Sequence, residues 1–476
     1  MKHQLHFLVM CLLLCGASLY ADTHNLYSRS FTILRPVYDL IEVFHQLIDS
    51  MQYNPENFGT PQMIFLYQHS RDHDLAQSKF AQYFLFRGKN QLLVAGDDSQ
   101  FACERDVRAE WLGLNSEFSG YLSICPEHMQ YGGLISYHQN LEALIDHGFF
   151  KQSFVTVTIP VVHVKTNLNL HQMGVRNPGT TFPRDIIEAF AQPTWLFDKI
   201  AGPQERTAVA EIDVRFGRVY MYDRDNFIVY YAGLNIPAAH KPEATYLFNA
   251  YVGNRYHVGF NGGLNMQIRL NEGEGPLWAW FVMLDGTYLF KNTQYRTLDL
   301  RGRPWSRFLL LTRECTPGVV TPGVNVLTRE MHVRPYGIYN FASGLRFRNC
   351  WYEIEIGYNL WGHPQEYLAL EDRFVTDYGI LGASTDPAVA KSAATSTIKE
   401  QAPSDETFIT LRESELNIYS GAGGSALNHT FLVGFGAHET CNTLEWTFGG
   451  GLYTEIAHVN RPVPSWGGWI KVGASF

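Results

Sequence analysis

The sequence predicts an all-β fold: an antiparallel sheet closed into a transmembrane β-barrel of about fourteen strands, within a range of twelve to sixteen, behind a short helical amino-terminal segment. Three observations predict it. Past residue 21 no apolar run approaches the ~18 residues of a spanning helix; the longest is Leu277–Leu284. The carboxy-terminal two-thirds alternates apolar and polar side chains with period two, the mark of strands with two unlike faces. Aromatic residues crowd the strand ends: Trp278, Trp280, Trp351, Trp361, Trp446, Trp466 and Trp469. A barrel in lipid places such residues at its two interfaces.

Composition narrows the field. Of 476 residues, 46% are hydrophobic and 14% aromatic, while 17% are charged, which excludes a disordered chain, a coiled coil and collagen. Lys and Arg total 37 against 46 Asp and Glu, which excludes a basic nucleic-acid binder.

Residues 1–21 read as a signal peptide. Lys2 supplies the positive end, Phe7 to Leu14 the apolar run, and Gly16, Ala17, Ser18 and Ala21 the small residues before cleavage. Of the seven cysteines, Cys11 and Cys15 lie in that segment. Those left have no metal-site spacing, and Cys103 with Cys125 is the pair best placed for a disulfide.

Residues 22–110 are expected to form a periplasmic or plug-like segment with a helix near 36–49. Val37, Leu40, Ile41, Phe44, Leu47 and Ile48 make one helical stripe behind Pro36. His69 and His73 stand four apart, but no Glu adjoins the first, so no metal is expected.

Residues 111–476 are read as the barrel. In 207–220, Ala208, Ala210, Ile212, Val214 and Phe216 share one face, and Glu211, Asp213 and Arg215 the other. A one-residue slip would put that second set into lipid, so the register is forced. Strands are read near 150–165, 207–220, 226–236, 245–252, 256–270, 277–290, 307–313, 332–347, 350–361, 428–437, 444–456 and 468–476. Candidates at 116–124 and 129–137 bring the count to fourteen, and 80–87 with 91–96 would bring it to sixteen. Large loops fall at 166–206 and 362–427. The first carries a short helix behind Pro183, and the second a run of small polar residues, Ser384 to Pro387 and Lys391 to Thr397. Segment 291–306 is the misfit: a long stretch where the alternation calls for a short turn.

A final alternating strand that puts Ile470, Val472, Ala474 and terminal Phe476 on one face resembles the assembly signal of Gram-negative outer-membrane β-barrel proteins. That resemblance implies location in the bacterial outer membrane, short periplasmic turns, a periplasmic carboxy terminus, and outer-membrane lipids and barrel-assembly machinery as partners. A homotrimer would follow by analogy with porins.

No motif carries catalysis, so no enzyme and no cofactor are expected; Ser425 sits in a glycine-rich loop without a nucleophile elbow. The inward faces would carry Glu211, Asp213, Arg215, Arg269, Glu353, Glu355, Glu445 and Glu455, a mixed lining that suits water and small polar solutes. If 291–307 folded inward, Arg296, Arg301, Arg303 and Arg307 would form a positive constriction. The favoured reading is porin-like passive diffusion of small hydrophilic solutes. Two alternatives remain: a structural or adhesive surface barrel with a closed lumen, and uptake of apolar ligands resembling the fatty-acid transporters, with the amino-terminal helix as hatch.

Overall fold

The computed structural model describes residues 28–44, 57–70, 80–85, 89–145, 147–223, 225–273, 275–313, 316–381, 408–441, 444–459 and 464–476. Twelve antiparallel strands close into one barrel: β1 (Gly59–Ser70), β2 (Glu127–Asn140), β3 (Ser153–Asn167), β4 (Glu211–Asp223), β5 (Asn226–Pro237), β6 (Gly259–Arg269), β7 (Leu277–Leu289), β8 (Tyr336–Arg348), β9 (Tyr352–His363), β10 (Ala426–Cys441), β11 (Leu444–Val459) and β12 (Ser465–Ser475). Each pairs with its neighbour in the chain, and β1 also pairs with β12, Gln62 lying opposite Gly473. The seam is tied at the carboxy terminus, where the Phe476 carbonyl accepts from Gly59 N at 3.1 Å and Phe476 N donates back to Gly59 O at 3.1 Å. No helix of the described residues is long and apolar enough to cross a membrane.

The outer wall is apolar. Met63, Phe65, Ile135, Leu234, Leu345, Ile354, Ile356, Val433, Phe435, Leu452 and Ile470 are all exposed. In lipid such a wall is solvated and every backbone polar group of a closed ring is paired, which is why this pattern selects a barrel. Tyr220, Trp278, Trp351 and Trp446 stand outward at one end, and Tyr67, Tyr131, Tyr288, Tyr339 and Trp466 toward the other. Trp361 and Trp469, expected in such a belt, are instead buried.

Several expected elements need correction. The barrel has twelve strands, at the low end of the range, and begins at residue 59 rather than 111. Strand β1 escaped notice because Met63 to Tyr67 reads as an unbroken apolar run; its lumen-facing Ile64 and Leu66 are apolar too. Residues 245–252 and 307–313 are not barrel strands. Strand β7 pairs directly with β8, so 290–335 is one insertion and the misfit at 291–306 disappears. Segments 91–95 and 119–124 belong to a small separate sheet with 107–108 and 170–176, and 81–84 is helical. At Ala210 the ladder breaks: its N–H goes to Pro160 O at 2.9 Å, and 204–209 continues alongside β3. The extra residue swaps the faces, so Ala208 and Ala210 turn inward while Ile212, Val214 and Phe216 keep the outer face. No disulfide joins Cys103, exposed in the 97–105 turn, to Cys125, buried beyond the 119–124 strand. The signal segment, His73 and the whole 384–397 run lie outside the described residues.

The two ends of the barrel are unlike. At one, which we call the turn end, strands join through short connections and the 141–152 link. At the other, the loop end, the long connections fold together into a cap. Its core joins Phe80, Phe84, Phe190, Trp195, Phe248, Trp305 and Phe308 from different connections. The Trp195 and Phe308 rings stack with centroids 5.2 Å apart, and Phe190 meets Phe308 edge-on at 5.3 Å. The helix expected behind Pro183 spans Ile186–Phe190, where the Asp185 carboxylate accepts from Glu188 N as its cap. The amino-terminal segment passes from this cap into the lumen.

Val433 lies between Ile356 and Leu452, all outward. Val433→Arg should therefore destabilise the barrel by about 2–4 kcal/mol, read as a lower urea midpoint in lipid vesicles. An unchanged midpoint would mean that this face does not meet hydrocarbon.

Candidate functional site

The lumen is filled. Ser28 and Ser30 are anchored in the cap, where Ser28 Oγ donates to Phe84 O at 2.8 Å and Ser30 Oγ to Thr297 O at 2.5 Å. The chain then descends inside the barrel as helix α1 (Val37–Phe44) and reappears at the turn end before β1. We call residues 28–44 the plug. Val37 and Leu40 are fully buried and Tyr38 nearly so. They meet a ring of inward apolar side chains, Ile64, Leu66, Leu134, Val162, Leu432 and Trp469 among them. Burying each large aliphatic side chain favours this placement by about 1.5–3 kcal/mol.

Polar contacts fix the plug's depth. Arg35 donates to Asn359 Oδ1 at 2.8 Å and to Asn340 Oδ1 at 2.7 Å. Its guanidinium lies 3.8 Å from Glu455, 3.7 Å from Asp39 and 5.7 Å from the centre of the Trp361 ring. On the opposite wall Gln130 donates to Arg35 O at 2.9 Å and accepts from Val37 N at 3.2 Å. One cation therefore bridges the plug to β8, β9 and β11, and one amide clips it to β2.

The inward residues expected from the sequence fall on the inner wall in several groups. Near the loop end Glu211 accepts from Asn254 at 2.8 Å, and Asp213 accepts from Asn261 at 2.6 Å and pairs with Arg215 at 2.5 Å. Glu455 pairs with the plug and accepts from Asn428. Lower down, Arg346 pairs with Glu355 at 3.3 Å and reaches Glu353 at 3.9 Å. At the turn-end rim Arg269 pairs with Asp225 at 2.5 Å, and Glu445 is half-buried. Asp213, Arg215, Arg269, Glu353, Glu355 and Glu455 thus lie in ion pairs on the inner wall, while Glu211 is held by a neutral amide.

The four arginines of the expected constriction lie in the cap and line no pore. Arg296 is buried 3.4 Å from Glu366, with its guanidinium 3.4 Å from the centre of the Phe31 ring. Arg301 is exposed and donates to Leu416 O at 3.1 Å. Arg303 is half-buried. Arg307 is fully buried between Asp198 at 3.2 Å and Asp299 at 2.8 Å and donates to Ser28 Oγ at 2.8 Å. These residues lie past β7 at the loop end, so they bind loop to loop.

Sequence reasoning missed Arg35, Gln130, Asn340 and Asn359. The inward periodicity of β2, β8 and β9 was the available signal, but nothing in it said which residues face a plug. No group of three or more metal-ligating side chains occurs among the described residues.

The two carboxylates around Arg307 carry a pH dependence. Burial pushes Asp198 up to about 7, against the pull of Arg307. Burial likewise raises Asp299. One guanidinium cannot neutralise two buried anions, so one of them holds a proton more readily than in water.

Solved structures similar to this chain are outer-membrane barrels. An outer membrane channel from Pseudomonas putida F1 matches with a TM-score of 0.41 at 9% identity, over 88% of this chain and 96% of that one. The transport unit of the autotransporter AIDA-I from Escherichia coli matches at 0.34 and 7% identity, over 93% and 99%. A Pseudomonas aeruginosa FadL homologue matches at 0.30 and 7% identity, over 90% and 92%. No protein-family model matches the chain, and no curated protein matches it.

Because the folded value of Asp198 is raised, its contribution to stability is complete below about pH 4 and is lost as pH rises to about 7, with a slope of at most about 1.4 kcal/mol per pH unit. Asp198→Asn should thus come closest to wild type at or below about pH 4 and resist limited proteolysis of the cap better at pH 8. Parallel pH profiles for the two proteins would remove the basis for this assignment.

Proposed function

We propose that this chain is an outer-membrane transport barrel held shut at rest by its own amino-terminal segment, and that solute passage requires the plug to shift. The observation that supports this most is the fastening of the plug. A single cation, Arg35, is held largely by neutral amides and at longer range by two carboxylates. Such an arrangement is specific in position yet can be exchanged for water, as a movable stopper requires. The signal-like residues 1–21 and the apolar outer wall support outer-membrane location, with the turns periplasmic and the cap facing outward.

The sequence favours porin-like diffusion of small hydrophilic solutes, and the paired charges of the inner wall suit a polar solute once the plug moves. A permanently open pore is less consistent with α1 packed on an apolar ring. Uptake of apolar ligands with the helix as hatch shares the same plug. Its expected pocket involves Phe44 and Leu47, whose side chains lie outside the described residues. A surface barrel with a closed lumen is the second reading, and the cap supports it. A multi-segment hydrophobic core is more than a channel mouth needs, and it offers a folded face to a partner.

Planar-bilayer conductance separates the readings. Wild type should be mostly silent. Arg35→Ala leaves Glu455 and Asp39 without their cation, a loss on the order of 3–5 kcal/mol, and should raise the open fraction at least about a hundredfold. Heat-dependent gel migration verifies that the variant barrel is folded. Silence from a folded Arg35→Ala variant would favour the surface-barrel reading.

A further inference from the structure

Between the plug, the inner wall and the cap lies a cavity of about 40 Å³. Plug residues Phe31, Leu34 and Pro36 line one side, β2 and β3 supply Gln130 and Val164, and the 238–258 connection supplies Phe248, Tyr251 and Arg255. About 10–15 Å³ accommodates one water, so the space holds a group the size of a carboxylate.

Arg255 sets this cavity apart. Its residue is 4% exposed, and its Nε has no hydrogen-bond partner. Among the described residues no carboxylate lies within ion-pair distance of its guanidinium. Two other polar groups of the lining, Gln130 and Thr166, are committed. Gln130 is spent on the plug backbone, and Thr166 Oγ1 donates to Phe248 O at 2.8 Å. The nearest counter-charge, Glu366, is paired with Arg296 at 3.4 Å and accepts from Gly423 N at 2.8 Å. Burial raises Glu366, but Arg296 and Arg255 more than offset this and keep it low, so it is a full anion shared by two cations. His257 adds no charge, because burial and Arg255 push it down to about 3. A buried cation in excess is costly unless something else pairs with it.

The backbone holds this cation in place. Arg255 and Tyr256 both adopt left-handed conformations, φ 54° and 65°, which L side chains avoid. The Arg255 carbonyl is clamped by Gln294 Nε2 at 2.9 Å and by Asn292 Nδ2 at 3.3 Å. Such backbone costs on the order of 1–3 kcal/mol per residue and persists only where its surroundings hold it, so the arginine is fixed in position beside the cavity.

We propose that this cavity is a binding site for a small monocarboxylate whose charged end pairs with Arg255 and whose short apolar part packs on Phe31, Leu34, Val164 and Phe248. A guanidinium matches a carboxylate through two parallel hydrogen bonds, which favours this anion over a spherical one. Plug residues form one wall, so occupancy and plug position are coupled: a ligand larger than the empty space must push the plug aside. The inference rests on the closed-lumen geometry and is read by binding rather than conductance, so its failure and that of the transport reading are distinguishable.

The test is equilibrium dialysis of the full-length protein in detergent at pH 7.5, with labelled benzoate as probe and benzyl alcohol as its neutral counterpart. Wild type should bind benzoate saturably, one per chain, and benzyl alcohol without saturation. Arg255→Gln should weaken benzoate binding by roughly tenfold or more. Val164→Phe fills the cavity, keeps the charge, and should abolish binding. Heat-dependent gel migration verifies both barrels, and if one variant fails to fold the other decides. Absence of saturable binding by wild type overturns the proposal, as does wild-type affinity in either folded variant. Displacement of benzoate by an equal concentration of chloride would overturn the carboxylate assignment.

Discussion

Everything in this molecule depends on the requirement that no backbone N–H or C=O be left unpaired in hydrocarbon. A sheet meets it only by closing, and here closure is the pairing of β1 with β12, tied at Gly59 and Phe476. The consequence for the lumen is topological. The chain enters at the cap with Ser28 and reappears at the turn end just before β1, so when the ring closes it closes around the plug. The plug is a piece of chain the barrel is built around, continuous with its first strand.

The interior then follows from what must meet that segment. Ile64, Leu66, Leu134, Val162, Leu432 and Trp469 face inward because Val37, Tyr38 and Leu40 need apolar partners. Above and below this ring the wall turns polar, and charges find each other: Asp213 with Arg215, Arg346 with Glu355, Arg269 with Asp225. Buried pairs add little net stability, but removing one partner is expensive, which makes these positions specify a register. The cap is held to the plug by the same chemistry, since Arg307 joins Asp198, Asp299 and Ser28. Movement of the plug would therefore be felt in the cap.

Legibility differed from strand to strand for a physical reason. Strands β6 and β9 were plain because their inward residues, Asn265, Gln267, Glu353 and Glu355, are polar and their outward ones apolar. Strand β1 was hidden because its lumen-side residues pack on α1 and are as greasy as its lipid-side ones. Residues 245–252 and 307–313 were mistaken for barrel strands because a cap core needs the same apolar side chains as a membrane. The inward placement of Glu211, Asp213, Arg215, Glu353, Glu355 and Glu455 could be read from parity alone. Their partners could not, because Arg35 comes from a segment far away in sequence.

The sequence by itself determined the class of fold and which face of most strands meets lipid. Period-two alternation is a local property, and lipid tolerates only one parity. Only the tertiary structure decided that twelve strands close the ring, that residues 28–44 run inside it, that the long connections share one core, and that among the described residues no carboxylate comes within ion-pair distance of Arg255. Those outcomes depend on contacts between residues hundreds of positions apart, and no local pattern encodes which distant side chain will arrive to fill a space or pair with a charge.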